Sequence, residues 1–270
     1  MDRNQSFVWK AFRTFCCAAL FVWVALPAQA ADKDVVIRQA RAAYYSLNGE
    51  GMQQFQCNMT PNWEALLADL RKTDSAAVDR AVQKLKELSF SVAVPSKGAA
   101  KVTHNEISAD NKQMADGLTQ IYSGMEQMTV GFFQTWSVFV ISPGLPEAGS
   151  TFQLEEIPSG YRISYKDGSA DVVTQMNKDF SITSTMVSSK EFESTLQPLF
   201  KQTAKGFLLS GYQAIYIGAS AADKTELQVK VEYQQVDGLQ LPKTLDAQGS
   251  FGGNPFKVEV AFTGCHADHR

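Results

Sequence analysis

A change of hydrophobic period near Pro143-Gly144 constrains this 270-residue chain more than any other feature. Beyond it, apolar side chains recur at every second position. Tyr161, Ile163 and Tyr165 alternate with Arg162, Ser164 and Lys166, and Leu227, Val229, Val231 and Tyr233 alternate with Gln228, Lys230, Glu232 and Gln234. Phe256, Val258, Val260 and Phe262 repeat the pattern. Successive side chains of a strand point to opposite faces, so this period predicts antiparallel strands with one apolar and one wet face. Asp167-Gly168 marks a turn into Val172, Thr174 and Met176, and Asn177-Lys178-Asp179 a turn into Phe180, Ile182, Ser184 and Met186. Phe207 to Ile217 reads as a further strand. Lys190 to Ala204 reads as a helical excursion, with Pro198 counting against it.

Before the switch the period is mostly helical. Asp34 to Leu47 carries Val35, Ile37, Ala40, Tyr44 and Leu47 at helical spacing and stops at Asn48-Gly49. Phe55, Cys57 and Met59 alternate as a strand. Thr60-Pro61 opens another helix, with Leu66, Leu67, Leu70, Val78, Ala81, Val82, Leu85 and Leu88 on its apolar face and a break near Thr73 to Ser75. Phe90 to Val94 is a short apolar strand. Asn111 to Ile141 is long and mostly helical, with Met114, Leu118, Met125, Met128, Phe132 and Trp136 near a period of 3.6. Gly117, Gly124 and Gly131, each costing about 1 kcal/mol against alanine, predict that it is not one ideal helix.

The first thirty residues read as a secretory signal peptide. Arg3, Lys10 and Arg13 precede an apolar run from Phe15 to Leu26, and Ala28-Gln29-Ala30 is a small-x-small cleavage site. The run is shorter than the ~20 residues a spanning helix needs. The expectation is therefore a periplasmic or secreted protein cut near Ala30, with residues 31–270 as a single domain. The removed segment carries three basic residues and one acidic residue, so the formal charge moves from −3 to −3 − 2 = −5. No basic footprint is present, and no nucleic-acid partner is assigned.

Two cysteines remain after cleavage, Cys57 and Cys265. In an exported chain a pair predicts a disulfide, here between the first strand-like segment and the last. Cys57 shares the phase of Phe55 and Met59. Cys265 falls on the phase of Lys257 and Glu259, so it must turn inward, and Gly264 permits that twist.

Catalytic motifs are missing: no G-x-S-x-G, S-x-x-K, H-E-x-x-H or P-loop occurs. A triad would need His104 with a dispersed serine and acid. The tail Cys265-His266-Ala267-Asp268-His269 has metal-ligand types, but reads as a frayed terminus. Glu155 and Glu156 point to opposite strand faces, and Asn58-Met59-Thr60 matches a glycosylation acceptor only in a eukaryotic pathway. The chain reads as a non-enzyme with no cofactor and no metal.

The segments Val236-Asp237-Gly238-Leu239-Gln240-Leu241-Pro242-Lys243 and Gly206-Phe207-Leu208-Leu209-Ser210-Gly211-Tyr212, together with the early helix and late meander, resemble the periplasmic lipoprotein-carrier and lipoprotein-sorting superfamily. The specific match covers about the last quarter of the chain. That resemblance implies a half-open barrel with a helical lid over a cavity that takes acyl chains. Pro61 to Ile141 departs from the family pattern by being longer and more helical.

The expected class is α+β: a strongly curved antiparallel sheet of seven or eight strands, half-barrel-like, covered by helices from the N-terminal half. The expected function is non-enzymatic binding of a lipid or other apolar ligand, or of a lipid-modified protein. Met125, Met128, Phe132, Trp136, Tyr161, Ile163, Tyr165, Val229, Val231 and Tyr233 would line the site. A closed core would use the same residues. The rival expectation is a cell-envelope module that binds a protein partner.

Overall fold

The computed structural model describes residues 32–218 and 224–269. The signal-like segment lies outside them. Helix α1 (Lys33–Ala42) starts at Asp32, whose side chain accepts from the Asp34 N–H. It ends at Ala42, short of the expected Leu47. Tyr45 N–H donates to the Phe207 carbonyl at 3.0 Å and Phe207 N–H donates to the Ala43 carbonyl at 2.8 Å. Tertiary backbone pairing thus replaces the last helical turn.

Strand β1 (Met52–Pro61) is followed by helices α2 (Trp63–Leu66), α3 (Ala68–Arg71) and α4 (Ser75–Leu85). The expected break near Thr73 falls between α3 and α4, with Asp74 capping the Ala77 N–H. Strands β2 (Phe90–Pro95) and β3 (Lys101–His104) complete an antiparallel unit with β1. Sequence patterning did not show β3, which is short and buries none of its side chains.

Helix α5 (Lys112–Val140) is one continuous helix of 29 residues. A Cβ at Gly117, Gly124 or Gly131 would meet nothing within 4 Å, so the glycines lie off the packed face. Burial of Leu118, Met125, Phe132, Phe133, Trp136 and Phe139 overrides their local cost.

The rest is a meander: β4 (Gln153–Ile157), β5 (Gly160–Asp167), β6 (Ala170–Asn177), β7 (Ile182–Ser188), β8 (Glu193–Thr203), β9 (Gly206–Ile217), β10 (Thr225–Val236), β11 (Leu239–Phe251) and β12 (Asn254–His269). The expected helical excursion is β8. Pro198 pairs with Tyr212 of β9 and lies two residues past Leu196, the last partner of β7, where the strand has a single neighbour. The expected count of seven or eight strands becomes twelve among the described residues.

All twelve form one antiparallel sheet in the order β3-β2-β1-β12-β11-β10-β9-β8-β7-β6-β5-β4. The sheet is not closed; β3 and β4 are its edges. The molecule is mostly antiparallel sheet with few helices. Chain order makes α5 the connection from one edge strand to the other. At 1.5 Å per residue it reaches about 43 Å, much of the width of twelve strands about 4.8 Å apart. The length of the helix follows from that topology.

Cys57 and Cys265 form a disulfide with Cα atoms 4.1 Å apart and 208 residues between them in sequence. The register of β1 and β12 slips between Gln56↔His266 and Asn58↔Thr263, so Cys57 faces both Gly264 and Cys265. This is a bulge, with Gly264 at φ 57°. It brings Cys265 onto the phase of Cys57. As expected, the bridge ties the first strand to the last. It clamps β1 to β12 inside the sheet, where the first strands meet the end of the meander.

Candidate functional site

The apolar face of the sheet and α5 enclose one continuous core. Phe55 of β1 lies 5.9 Å from both Phe133 and Trp136 between ring centroids. Phe262 of β12 lies 5.7 Å from Phe133 and 6.5 Å from Phe132, and Phe139 lies 6.0 Å from Phe200 of β8. Phe132 and Phe262 stack and the other pairs meet edge to face; aromatic pairs of these kinds add about 0.5–1.5 kcal/mol to plain area burial.

Polar contacts fix the helix over this core. Trp136 Nε1–H donates to the Tyr233 hydroxyl at 2.9 Å, and the Thr135 and Tyr216 hydroxyls lie 3.1 Å apart. Burial pushes the Tyr212 and Tyr233 hydroxyls well above their ordinary range. Tyr165 is pushed up to about 12, by burial first and by Asp167 second. Tyr44 is raised by burial too; its hydroxyl donates to the Phe180 carbonyl at 2.6 Å and accepts from the Ile182 N–H at 2.7 Å. It therefore holds the turn between β6 and β7, where Phe180 takes φ 69°.

The expected lining residues all belong to this core. Met125, Phe132, Trp136, Ile163, Val229 and Val231 are buried; Met128, Tyr161, Tyr165 and Tyr233 are partly buried against it. They fall into two groups. Those of α5 and β10 meet through the Trp136–Tyr233 hydrogen bond. Those of β5 lie toward the other edge, where Tyr161 stacks on Phe180 at 6.0 Å and the Tyr165 hydroxyl donates to the Gly144 carbonyl at 3.2 Å. Sequence reasoning did not single out Tyr45, Tyr212, Tyr216 or Phe133 as lining. Their apolar phase was visible; their convergence depends on strand order.

Two grooves lie on the other, wet face. One of about 700 Å3 runs over β8 to β12 and is lined by Thr195, Gln197, Gln213, Gln228, Gln248 and Lys257 among others. The second, about 550 Å3, includes Asn62, Lys230, Glu232, Asp246 and Glu259. None of the expected lining residues borders either groove.

The remaining candidates are dispersed. His104 stacks on Tyr122 at 4.0 Å between centroids, pinning α5 to the edge strand. Glu155 pairs with Arg162 at 2.8 Å. The tail is not frayed: His266 and Asp268 pair with Gln56 and Gln54 of β1. Among the described residues, no three His, Cys, Asp or Glu side chains group to hold a metal ion, and no helix is long and apolar enough to cross a membrane.

No protein-family model, curated protein or solved structure matches this chain.

Proposed function

We propose that the chain is an exported, non-enzymatic binding or carrier protein for a lipid or other apolar ligand. One observation carries this reading: a single helix bearing Met125, Met128, Phe132 and Trp136 crosses the apolar face of a sheet that does not close. In this reading the sheet curves as a half-barrel and the helices of the N-terminal half cover it. An open sheet leaves the interior separable from its cover without breaking strand pairing. Methionine suits a lining that changes shape, because its thioether stem is flexible. The Cys57–Cys265 disulfide supports an oxidising compartment after signal cleavage.

Native mass spectrometry of protein purified from the envelope, together with titration of a fluorescent fatty acid, tests the proposal. Copurified lipid, and probe binding that quenches Trp136 emission and weakens in Trp136→Phe/Met128→Gln, is expected. Neither lipid nor probe binding would sink it.

A protein-interaction module is the second reading. The unpaired edges β3 and β4 favour it, since an open edge can accept a partner strand. In-cell crosslinking that yields one dominant protein and no lipid would select it.

A further inference from the structure

The wet face carries an ordered feature of its own. Gln197, Gln213, Gln228 and Gln248 stand on β8, β9, β10 and β11 as direct cross-strand partners: Gln197↔Gln213, Gln213↔Gln228 and Gln228↔Gln248. They make one row of four carboxamides across four adjacent strands, on the floor of the 700 Å3 groove. Strand spacing sets their separation at about 4.8 Å. Gln248 Nε2–H donates to Gln228 Oε1 at 2.9 Å, so the row is partly ordered before anything binds.

The groove is neutral. Its two charged lining side chains are Glu226 and Lys257. Lys224 pairs with Glu226 at 2.5 Å, and Glu259 pairs with Lys257 at 2.6 Å. Among the described lining residues neither charge is left without a partner, which selects against a phosphate, a carboxylate or an amine. Each carboxamide offers two donors and an acceptor. Its natural complement is a group that also donates and accepts, and a sugar hydroxyl does both. Beside the row, Ile215 is 40% exposed and Met186 51% exposed; Thr195 pairs with both, so they share one face. These supply apolar contact for the C–H face of a pyranose ring.

Backbone recognition is closed here. β9, β10 and β11 are each hydrogen-bonded on both sides, so an extended peptide cannot add as a strand on this surface. Only side chains are available to a ligand. We propose that the glutamine row is a binding site for a neutral, extended β-1,4-linked glycan lying across the strands, with successive rings on successive carboxamides. This site is separate from the interior and stands or falls independently of the apolar-ligand reading.

The test is calorimetric titration of the intact exported protein with cellohexaose, with maltohexaose as the α-linked control. Cellohexaose binds, and maltohexaose binds at least about tenfold more weakly because its curved chain leaves the row. Gln213→Ala/Gln228→Ala weakens cellohexaose by about tenfold or more, each lost hydrogen bond contributing a few-fold. Gln213 and Gln228 lie on the wet face, and unchanged far-UV circular dichroism verifies folding. Should the double variant misfold, Gln228→Glu supplies the same test by adding a charge with no change of size. No cellohexaose binding, equal binding of maltohexaose, binding unchanged in the folded variants, or preference for an uncharged Ser-Gly hexapeptide would each overturn the proposal.

Discussion

The two ends of α5 are held in different ways. From Thr129 to Val140 the helix buries Thr129, Phe132, Phe133, Trp136, Phe139 and Val140; from Lys112 to Met128 it buries Leu118 and Met125. Both parts carry an apolar stripe, so amphipathicity does not account for the difference. What lies beneath does. The later part rests over the middle of the sheet, where Phe55, Phe262 and Tyr233 reach up to it. The earlier part leans on the edge strand β3 through the Tyr122–His104 stack. A stripe is buried only as deeply as the surface opposite it allows.

The largest expected effects sharpen that contrast. Phe133→Ala should cost about 3–5 kcal/mol, because it empties a site walled by Phe55, Trp136 and Phe262. Tyr122→Ala, at the edge, should cost about 1 kcal/mol. Urea unfolding of both variants checks this, and equal losses would break the comparison.

The disulfide comes next. Cys57→Ser should lower stability by about 2–5 kcal/mol, since a long loop is released in the unfolded chain. Intact-mass analysis after alkylation without reductant should show no free thiol in the wild type. Because the bridge joins β1 to β12 beneath the later part of α5, its loss should loosen amide exchange there more than at β3 and the N-terminal turns.

Alkali provides a third probe. Tyr212, Tyr233 and Tyr44 keep their protons in the folded state above the usual tyrosine range, burial being the main cause. Above about pH 10 the unfolded chain therefore binds fewer protons than the folded one, and stability falls as pH rises. Below that pH the contribution is fully present. Tyr212→Phe should flatten the decline, as read by urea midpoints from pH 9 upward; an unchanged slope would count against burial as its cause.

The smallest effect has the opposite sign. Gly124→Ala should raise stability by about 0.5–1 kcal/mol, because the new methyl group meets nothing and the helix gains propensity. A loss instead would show that this face of the helix packs on something.

Much of the fold was legible because hydrophobic period is local. The alternation at Tyr161–Tyr165, Val229–Tyr233 and Phe256–Phe262 became strands, and the Cys57 phase with Gly264 anticipated the bulge that admits the disulfide. β8 was misread although Pro198 counted against a helix: Leu199, exposed and off the buried phase of Leu196 and Pro198, blurs the alternation, and the strand's partners, Tyr212 and Gln213, lie in another segment. The end of α1 was misread because Tyr44 and Tyr45 keep helical spacing while their backbone pairs with Phe207. The lining candidates were chosen by phase, and phase alone did not separate the β5 group from the β10 group.

By itself the sequence determined which side chains face inward, where most turns fall and which cysteines are available to pair. Those properties depend on spacing along the chain. Only the tertiary structure decided that β12 returns beside β1, that α5 joins the two sheet edges and that four separate glutamines stand in one row. These depend on register between segments far apart in sequence. Register is set by the sum of many contacts across the sheet, and no single segment carries that sum.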